Sequence, residues 1–223
     1  MIKACIFDMD GTTVDSIKSI TYYVNQTLNN FGYSTITVEK CKQIIGSGAK
    51  TLIERAISEV GGDMSKFDEI FQSYKAAYND NSCHLTESYD GIIKMLKTLK
   101  SAGIKIGILS NKTDSTVQKI NNTIFGTLFD ACQGDIEGVP LKPDPKSLLE
   151  MMENLGVKQD EVLYVGDTNI DIFTAKNAGV KSIGVLWGFR DRQELVLAGA
   201  DYIVSTPYEI AEIALKLNKN IVE

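Results

Sequence analysis

At 223 residues, with 43% hydrophobic and 23% charged side chains, the chain has the make-up of an ordinary folded protein, which excludes fibrous and disordered classes. A net charge of −6 gives no general pull on nucleic-acid backbones or anionic lipid, so an anionic ligand must be drawn by a local site and nucleic acid is not an expected partner. Cys5, Cys41, Cys83 and Cys132 form no Cys-x-x-Cys pair, no basic-then-apolar leader opens the chain and no apolar run approaches about 18 residues, so reduced thiols, no membrane and a cytoplasmic location are expected.

In chain order, Ala4 to Phe7 reads as a short buried strand that ends on acids. Beyond it, Ile17, Ile20, Val24, Leu28 and Phe31 keep the helical period and stop at Gly32, and a second helical pattern over Leu52 to Val60 stops at Gly61-Gly62. No strand is expected from Asp15 to Glu87. A helical block of that length is too long for an ordinary connection, so 15–87 is expected to be a small all-helical domain inserted between 1–14 and 88–223. Ile92, Met95, Leu96 and Leu99 mark the next helix, stopped by Gly103. Ile104 to Leu109, Val162 to Val165 and Ser182 to Leu186 read as further buried strands, and Thr206-Pro207-Tyr208-Glu209 has the spacing that starts a last helix. This alternation predicts an α/β fold, a Rossmann-like parallel sheet sandwiched by helices.

Chemistry concentrates where strands end. In Ile6-Phe7-Asp8-Met9-Asp10-Gly11-Thr12-Thr13 an apolar run meets two carboxylates two residues apart, and open α/β sheets bind ligands at the carboxyl ends of their strands. Residues i and i+2 of an extended chain share a face, so the two carboxylates repel. The pair therefore predicts a hard divalent ion, or a split between nucleophile and acid, or both. Leu163-Tyr164-Val165-Gly166-Asp167-Thr168-Asn169-Ile170-Asp171 repeats the arrangement, and two such clusters meeting at one sheet edge form an oxygen-rich cage suited to Mg²⁺. Ile106 to Lys112 ends in Ser110 and Asn111, whose hydroxyl and amide either donate to phosphate oxygens or cap the following helix. In Leu141-Lys142-Pro143-Asp144-Pro145 two prolines stiffen the backbone around one lysine. Gly46-Ser47-Gly48-Ala49-Lys50-Thr51 lacks the glycine before its lysine and the preceding strand of a nucleotide phosphate loop, which excludes that reading.

Asp8-x-Asp10-Gly11-Thr12, then Ser110-Asn111, then Lys142-Pro143, then Gly166-Asp167 with Asp171, resemble in order the four motifs of the haloacid dehalogenase-like hydrolases. Within the helical insert, Ile45 to Ala56 is similar to the cap loop and helix of phosphoglycolate phosphatases. The resemblance implies a catalytic core of 1–14 and 88–223 under a helical cap of 15–87, and a Mg²⁺-dependent phosphatase acting through an aspartyl-phosphate. Asp8 is then the nucleophile and Asp10 the acid and base. Mg²⁺ is held by Asp8, the Asp10 carbonyl and Asp167, and phosphate is met by Ser110, Asn111 and Lys142. Thr12 is expected to position the Asp10 side chain, and Asp171 to orient Lys142 or a metal-bound water. The implied partner is a small phosphorylated metabolite, 2-phosphoglycolate being favoured by the cap's similarity together with Ser110-Asn111-Lys112, met through its carboxylate by Lys50 or Arg55, in a monomer or homodimer. The alternatives are a β-phosphoglucomutase-like sugar phosphomutase and another small-molecule phosphatase or pyrophosphatase of the superfamily. A carboxylate at Asp10 disfavours dehalogenation, and the chain's length and helical insert disfavour a response-regulator receiver. His84 is expected to pack or solvate, and Trp187 and Arg190 to pack, with a loop near the site as the alternative for these two.

Overall fold

The computed structural model describes residues 1–219. The chain runs β1 (Ala4–Phe7), β2 (Val14–Asp15), α1 (Ile17–Asn30), α2 (Val38–Ile44), α3 (Gly48–Glu59), α4 (Phe67–Asp80), β3 (Glu87–Ser88), α5 (Ile92–Ser101), β4 (Lys105–Thr113) and α6 (Asp114–Ile120). It continues through β5 (Ala131–Asp135), α7 (Lys146–Leu155), β6 (Val162–Gly166), α8 (Asn169–Ala178), β7 (Lys181–Val185), α9 (Arg192–Ala198), β8 (Tyr202–Val204) and α10 (Pro207–Lys219). Six strands form one parallel sheet in the order β5-β4-β1-β6-β7-β8.

β1 shows why the sheet is a three-layer sandwich. All four of its residues are buried, because helices cover both faces. Cys5 and Phe7 point into the layer built by Leu96 and Leu99 of α5, Val117 of α6 and Ile210 of α10. Ala4 and Ile6 point into the layer of Leu148 and Met151 from α7 and Ala175 from α8. Burying one such large aliphatic side chain contributes about 1.5–3 kcal/mol. The central place of β1, with β4 on one side and β6 on the other, brings the carboxyl ends of all three together.

Helices α1 to α4 pack on one another around a separate apolar cluster that includes Val24, Leu28, Ile53, Ile57, Ile70 and Tyr74. The chain leaves for this unit and returns from it side by side, through the antiparallel ribbon Val14↔Ser88 and Asp15↔Glu87.

The sequence reading named two helices in this unit and the structure has four. It left out α2, whose only buried residue is Cys41, and α4, whose buried residues Ile70, Tyr74 and Tyr78 are spaced four apart. The paired β2 and β3 were also unexpected within an insert read as strand-free from Asp15 to Glu87; two residues each give no alternation to detect. Edge strands β5 and β8 were missed because one is only half-buried and carries Gln133 and Asp135, and the other is three residues long. β4 runs on to Thr113 rather than stopping at Leu109, with a register shift against β5 between those residues.

Candidate active site

Asp8 follows β1 directly, and its N–H donates to Val165 O of β6 at 2.8 Å. The chain then turns back on itself: the N–H groups of Thr12, Thr13 and Val14 all donate to Met9 O. Gly11 makes the turn at φ +84°, and a Cβ there would lie 2.3 Å from the Asp167 carboxylate, so only glycine brings the two strand ends this close. At the end of β6 a Cβ on Gly166 would lie 2.2 Å from Asp171, so the first turn of α8 also packs directly on the strand.

These two backbone approaches set the floor. One oxygen each of Asp8, Asp167 and Asp171 lies within 4.8 Å of the other two, and all three residues are buried. Lys142 Nζ donates to Asp171 Oδ1 at 2.8 Å and stands 2.8 Å from Asp8 Oδ1. The second contact is one of charge, since Asp8 Oδ1 accepts no hydrogen bond of good geometry. Asp171 Oδ2 accepts from Thr168 N and Oγ1 at 3.1 and 2.8 Å, so both its oxygens are engaged. Asp167 is steadied by Thr12 Oγ1 at 3.1 Å and Phe189 N at 2.7 Å.

Three carboxylates around one ammonium leave the floor short of positive charge. Burial pushes Asp8 up to about 7 from its ordinary value of 3.8; Lys142 pulls it back, while Asp171 and Asp10 add to the rise. Asp167 is raised well above the usual carboxylate range, by burial first and then by Asp171 and Asp8. Burial works against the charge on Lys142, but Asp171 and Asp8 more than reverse this and keep it protonated. An all-oxygen set in which burial and mutual repulsion oppose ionisation is what a hard divalent cation relieves, so the residues fit Mg²⁺. Asp171, held by Lys142 and Thr168, is the least free of the three to take part.

The other sequence-predicted residues fall into three groups. Asp10 also lines the floor, with partners outside the buried cluster: Oδ1 accepts from Ser16 Oγ at 2.5 Å, and Oδ2 pairs with Lys112 Nζ at 2.9 Å. Thr12, expected to hold Asp10, instead holds Asp167; the Gly11 turn carries its hydroxyl toward β6, and Ser16 serves Asp10. Ser110 lines the cavity over the floor, and its hydroxyl accepts from Lys112 N at 3.3 Å. Asn111 is engaged as a brace. Its Oδ1 accepts from Lys142 N at 2.9 Å, and its Nδ2 donates to Lys142 O and Gly46 O, both at 3.0 Å, tying the lysine loop to the α2–α3 loop.

Lys50 and Arg55 correct the sequence reading. Both are exposed and neither lines the cavity. Arg55 Nη1 donates to Ile44 O at 2.9 Å, bracing α3 against the end of α2.

That cavity measures about 60 Å³, room for only a few water-sized groups at about 10–15 Å³ each. Its floor is Asp8, Asp10, Ser110, Asn111 and Lys142, and its roof includes Ile45, Leu52, Tyr74 and Tyr78 from the helical unit. Sequence reasoning missed two features here. Lys112, which counted with Ser110 and Asn111 toward a small phosphorylated acid but was given no role of its own, has a side chain 6% exposed whose Nζ also donates to Tyr78 Oη at 2.8 Å. Burial, followed by the charge of Asp10, raises Tyr78 well above its ordinary value, so its hydroxyl stays neutral. Arg190, expected to pack or to line a loop near the site, donates to Lys42 O and, at 3.0 Å, to Ile45 O, while its Nε pairs with Glu194 at 3.3 Å. The preceding Phe189 joins the apolar cluster of the helical unit while its N–H holds Asp167. Trp187 Nε1 donates to Thr12 O at 3.0 Å, and His84 packs edge-on against Tyr22 and Tyr23.

A parallel α/β sheet with buried carboxylates and a lysine at the end of its central strands, roofed by helices, defines a hydrolase of the Rossmann-like class. The family model for haloacid dehalogenase-like hydrolases matches residues 5–185, and the chain belongs to that family. It is 30% identical over 224 residues to the phosphoglycolate phosphatase of Aquifex aeolicus, covering 100% of both chains. It is 31% identical to that of Vibrio parahaemolyticus, over 95% of this chain and 96% of the relative. A solved structure from Lactobacillus delbrueckii subsp. bulgaricus, described as a candidate phosphoglycolate phosphatase, superposes with a TM-score of 0.90 at 31% identity, over 95% of this chain and 98% of that one.

Proposed function

We propose that the protein is a Mg²⁺-dependent phosphatase that hydrolyses small phosphorylated acids through an aspartyl-phosphate on Asp8, with 2-phosphoglycolate the favoured substrate. The observation that carries this reading is the floor: Asp8 and Asp167 within 4.8 Å, and Lys142 at 2.8 Å from Asp8, at the base of a roofed cavity. The family and the names of the relatives support phosphomonoester chemistry.

Asp8 attacks phosphorus and the ester oxygen leaves, taking its proton from Asp10. Asp10 then accepts a proton from the water that hydrolyses the aspartyl-phosphate. Lys142, fixed by Asp171, and the Ser110 hydroxyl meet the equatorial oxygens, where preorganised donors lower the barrier most. Asp8, Asp167 and the Asp10 carbonyl would hold Mg²⁺, which supplies charge neutralisation for phosphate and carboxylates alike. Residues 15–87 act as the cap, excluding water and meeting the non-phosphate part of the substrate.

Phosphate release from 2-phosphoglycolate with Mg²⁺ and with chelator is the test, using wild type and Asp8→Asn. The expectation is multiple turnovers that need both the cation and Asp8. Equal rates with chelator, or an active Asp8→Asn, would overturn the reading.

A further inference from the structure

The cap-side cations foreseen for the substrate's acid group, Lys50 and Arg55, do not line the cavity, whereas Lys112 does. Its ammonium has three N–H donors. Asp10 Oδ2 at 2.9 Å and Tyr78 Oη at 2.8 Å take two of them, which leaves one for a ligand. The side chain is already withdrawn from water and held from two sides, one in the floor and one in the roof, so little freedom remains to be lost on binding. Lys142 is not available for the same task, being clamped between Asp8 and Asp171 where phosphate must sit.

Position then decides what Lys112 meets. If Asp10 protonates the leaving oxygen, a group paired with Asp10 lies beside the carbon attached to that oxygen. A carboxylate one carbon further along the substrate falls within reach of it. The roof above is mostly apolar, and the ammonium of Lys75, which also lines the cavity, lies over the Phe71 ring, so a second anion beside Asp10 finds its partner at Lys112.

We propose that Lys112, steadied by Tyr78, is the substrate-binding residue that receives a carboxylate one carbon from the ester oxygen, making the site selective for phosphorylated 2-hydroxy acids. This rests on the phosphatase reading above. The test compares kcat/KM for 2-phosphoglycolate and for its carboxylate methyl ester, which keeps the phosphate but carries no charge at the carboxyl end, in wild type, Lys112→Met and Lys112→Arg, with melting curves for each.

Wild type is expected to prefer the acid by roughly 10- to 100-fold, the range for one charge-assisted hydrogen bond. Lys112→Met should collapse that ratio toward one, and Lys112→Arg should restore part of it. If Lys112→Met does not fold, Lys112→Gln carries the same expectation. Equal use of both compounds by wild type overturns the proposal and leaves the phosphatase reading standing, as does a preference that survives loss of the ammonium. Hydrolysis of neither compound defeats the phosphatase reading itself.

Discussion

The floor and the roof of the cavity are built on different terms. On the floor, Lys142 meets Asp8 and Asp171 at 2.8 Å, an oxygen of Asp167 lies within 4.8 Å of oxygens of both, and all four residues are buried. Their positions follow from the ends of two adjacent strands and one short loop. The helical unit rests on the rest of the molecule through long-range links spread over its edge: Lys112 to Tyr78, Asn111 to Gly46, Arg190 to Lys42 and Ile45, and Thr116 and Lys119 to Asn79 and Asp80. A dense, strained set of charges holds the chemistry. A sparse set of separate contacts holds the cover, an arrangement suited to a cover that opens while the floor stays fixed.

The largest effects should come from breaking the floor. Asp8→Asn removes the nucleophile, and phosphate release should fall by on the order of 10⁴-fold or more. The same change removes a carboxylate that burial and its neighbours disfavour, so the metal-free variant should melt no lower than wild type near neutral pH. Lys142→Met does the opposite to stability. It leaves three buried carboxylates without their ammonium, and chemical denaturation should register a loss of about 3–5 kcal/mol. A loss under 1 kcal/mol would mean that the floor is not the charge-stressed unit described above.

The floor was also the more legible half. Each of its carboxylates ends an apolar run or opens the helix after it, so local pattern named Asp8, Asp10, Asp167 and Asp171, and two prolines singled out Lys142. The sheet did the rest by making β1 the neighbour of both β4 and β6. What the roof touches was not legible. Lys112 and Tyr78 are 34 residues apart, and Arg190 and Lys42 are 148 apart. Such pairings depend on how the inserted helices sit, which no period in the chain encodes. Lys50 and Arg55 came with the resemblance of Ile45 to Ala56 to a cap loop and helix, but in α3 both are exposed and Arg55 braces the end of α2. Thr12 was assigned to the nearer carboxylate in sequence and serves the more distant one, because the turn at Gly11 redirects it.

Metal and pH sharpen the comparison next. Asp8 has a folded value of about 7 against an ordinary 3.8, so between those limits the folded state binds more protons than the unfolded state. Stability of the metal-free protein therefore falls as pH rises from about 4 through about 7, and Asp167 acts in the same direction. Each 1 kcal/mol lost lowers Tm by about 2–4 °C at this chain length. Mg²⁺ should raise Tm more at pH 8 than at pH 5, because at the lower pH it must displace protons. A scan of Tm against pH with and without Mg²⁺ checks both signs. Metal-free Tm that climbs over this range would contradict the charge assignment of the floor.

The smallest effect tests the roof. Arg190 donates to carbonyls at and just beyond the C-terminal end of α2, where a cation also suits the helix dipole, and it reaches there from the loop that gives Phe189 N to Asp167. Arg190→Ala should cost about 1 kcal/mol in global stability, the ordinary worth of such hydrogen bonds. The local consequence is more telling. Amide exchange across Val38–Ile44 should speed up, while the amides of β1, locked between two parallel neighbours, should not change. Faster exchange in both places would mean that roof and floor open as one cooperative unit. Faster exchange in α2 alone would show that the clasp restrains the cover without contributing to the catalytic base beneath it.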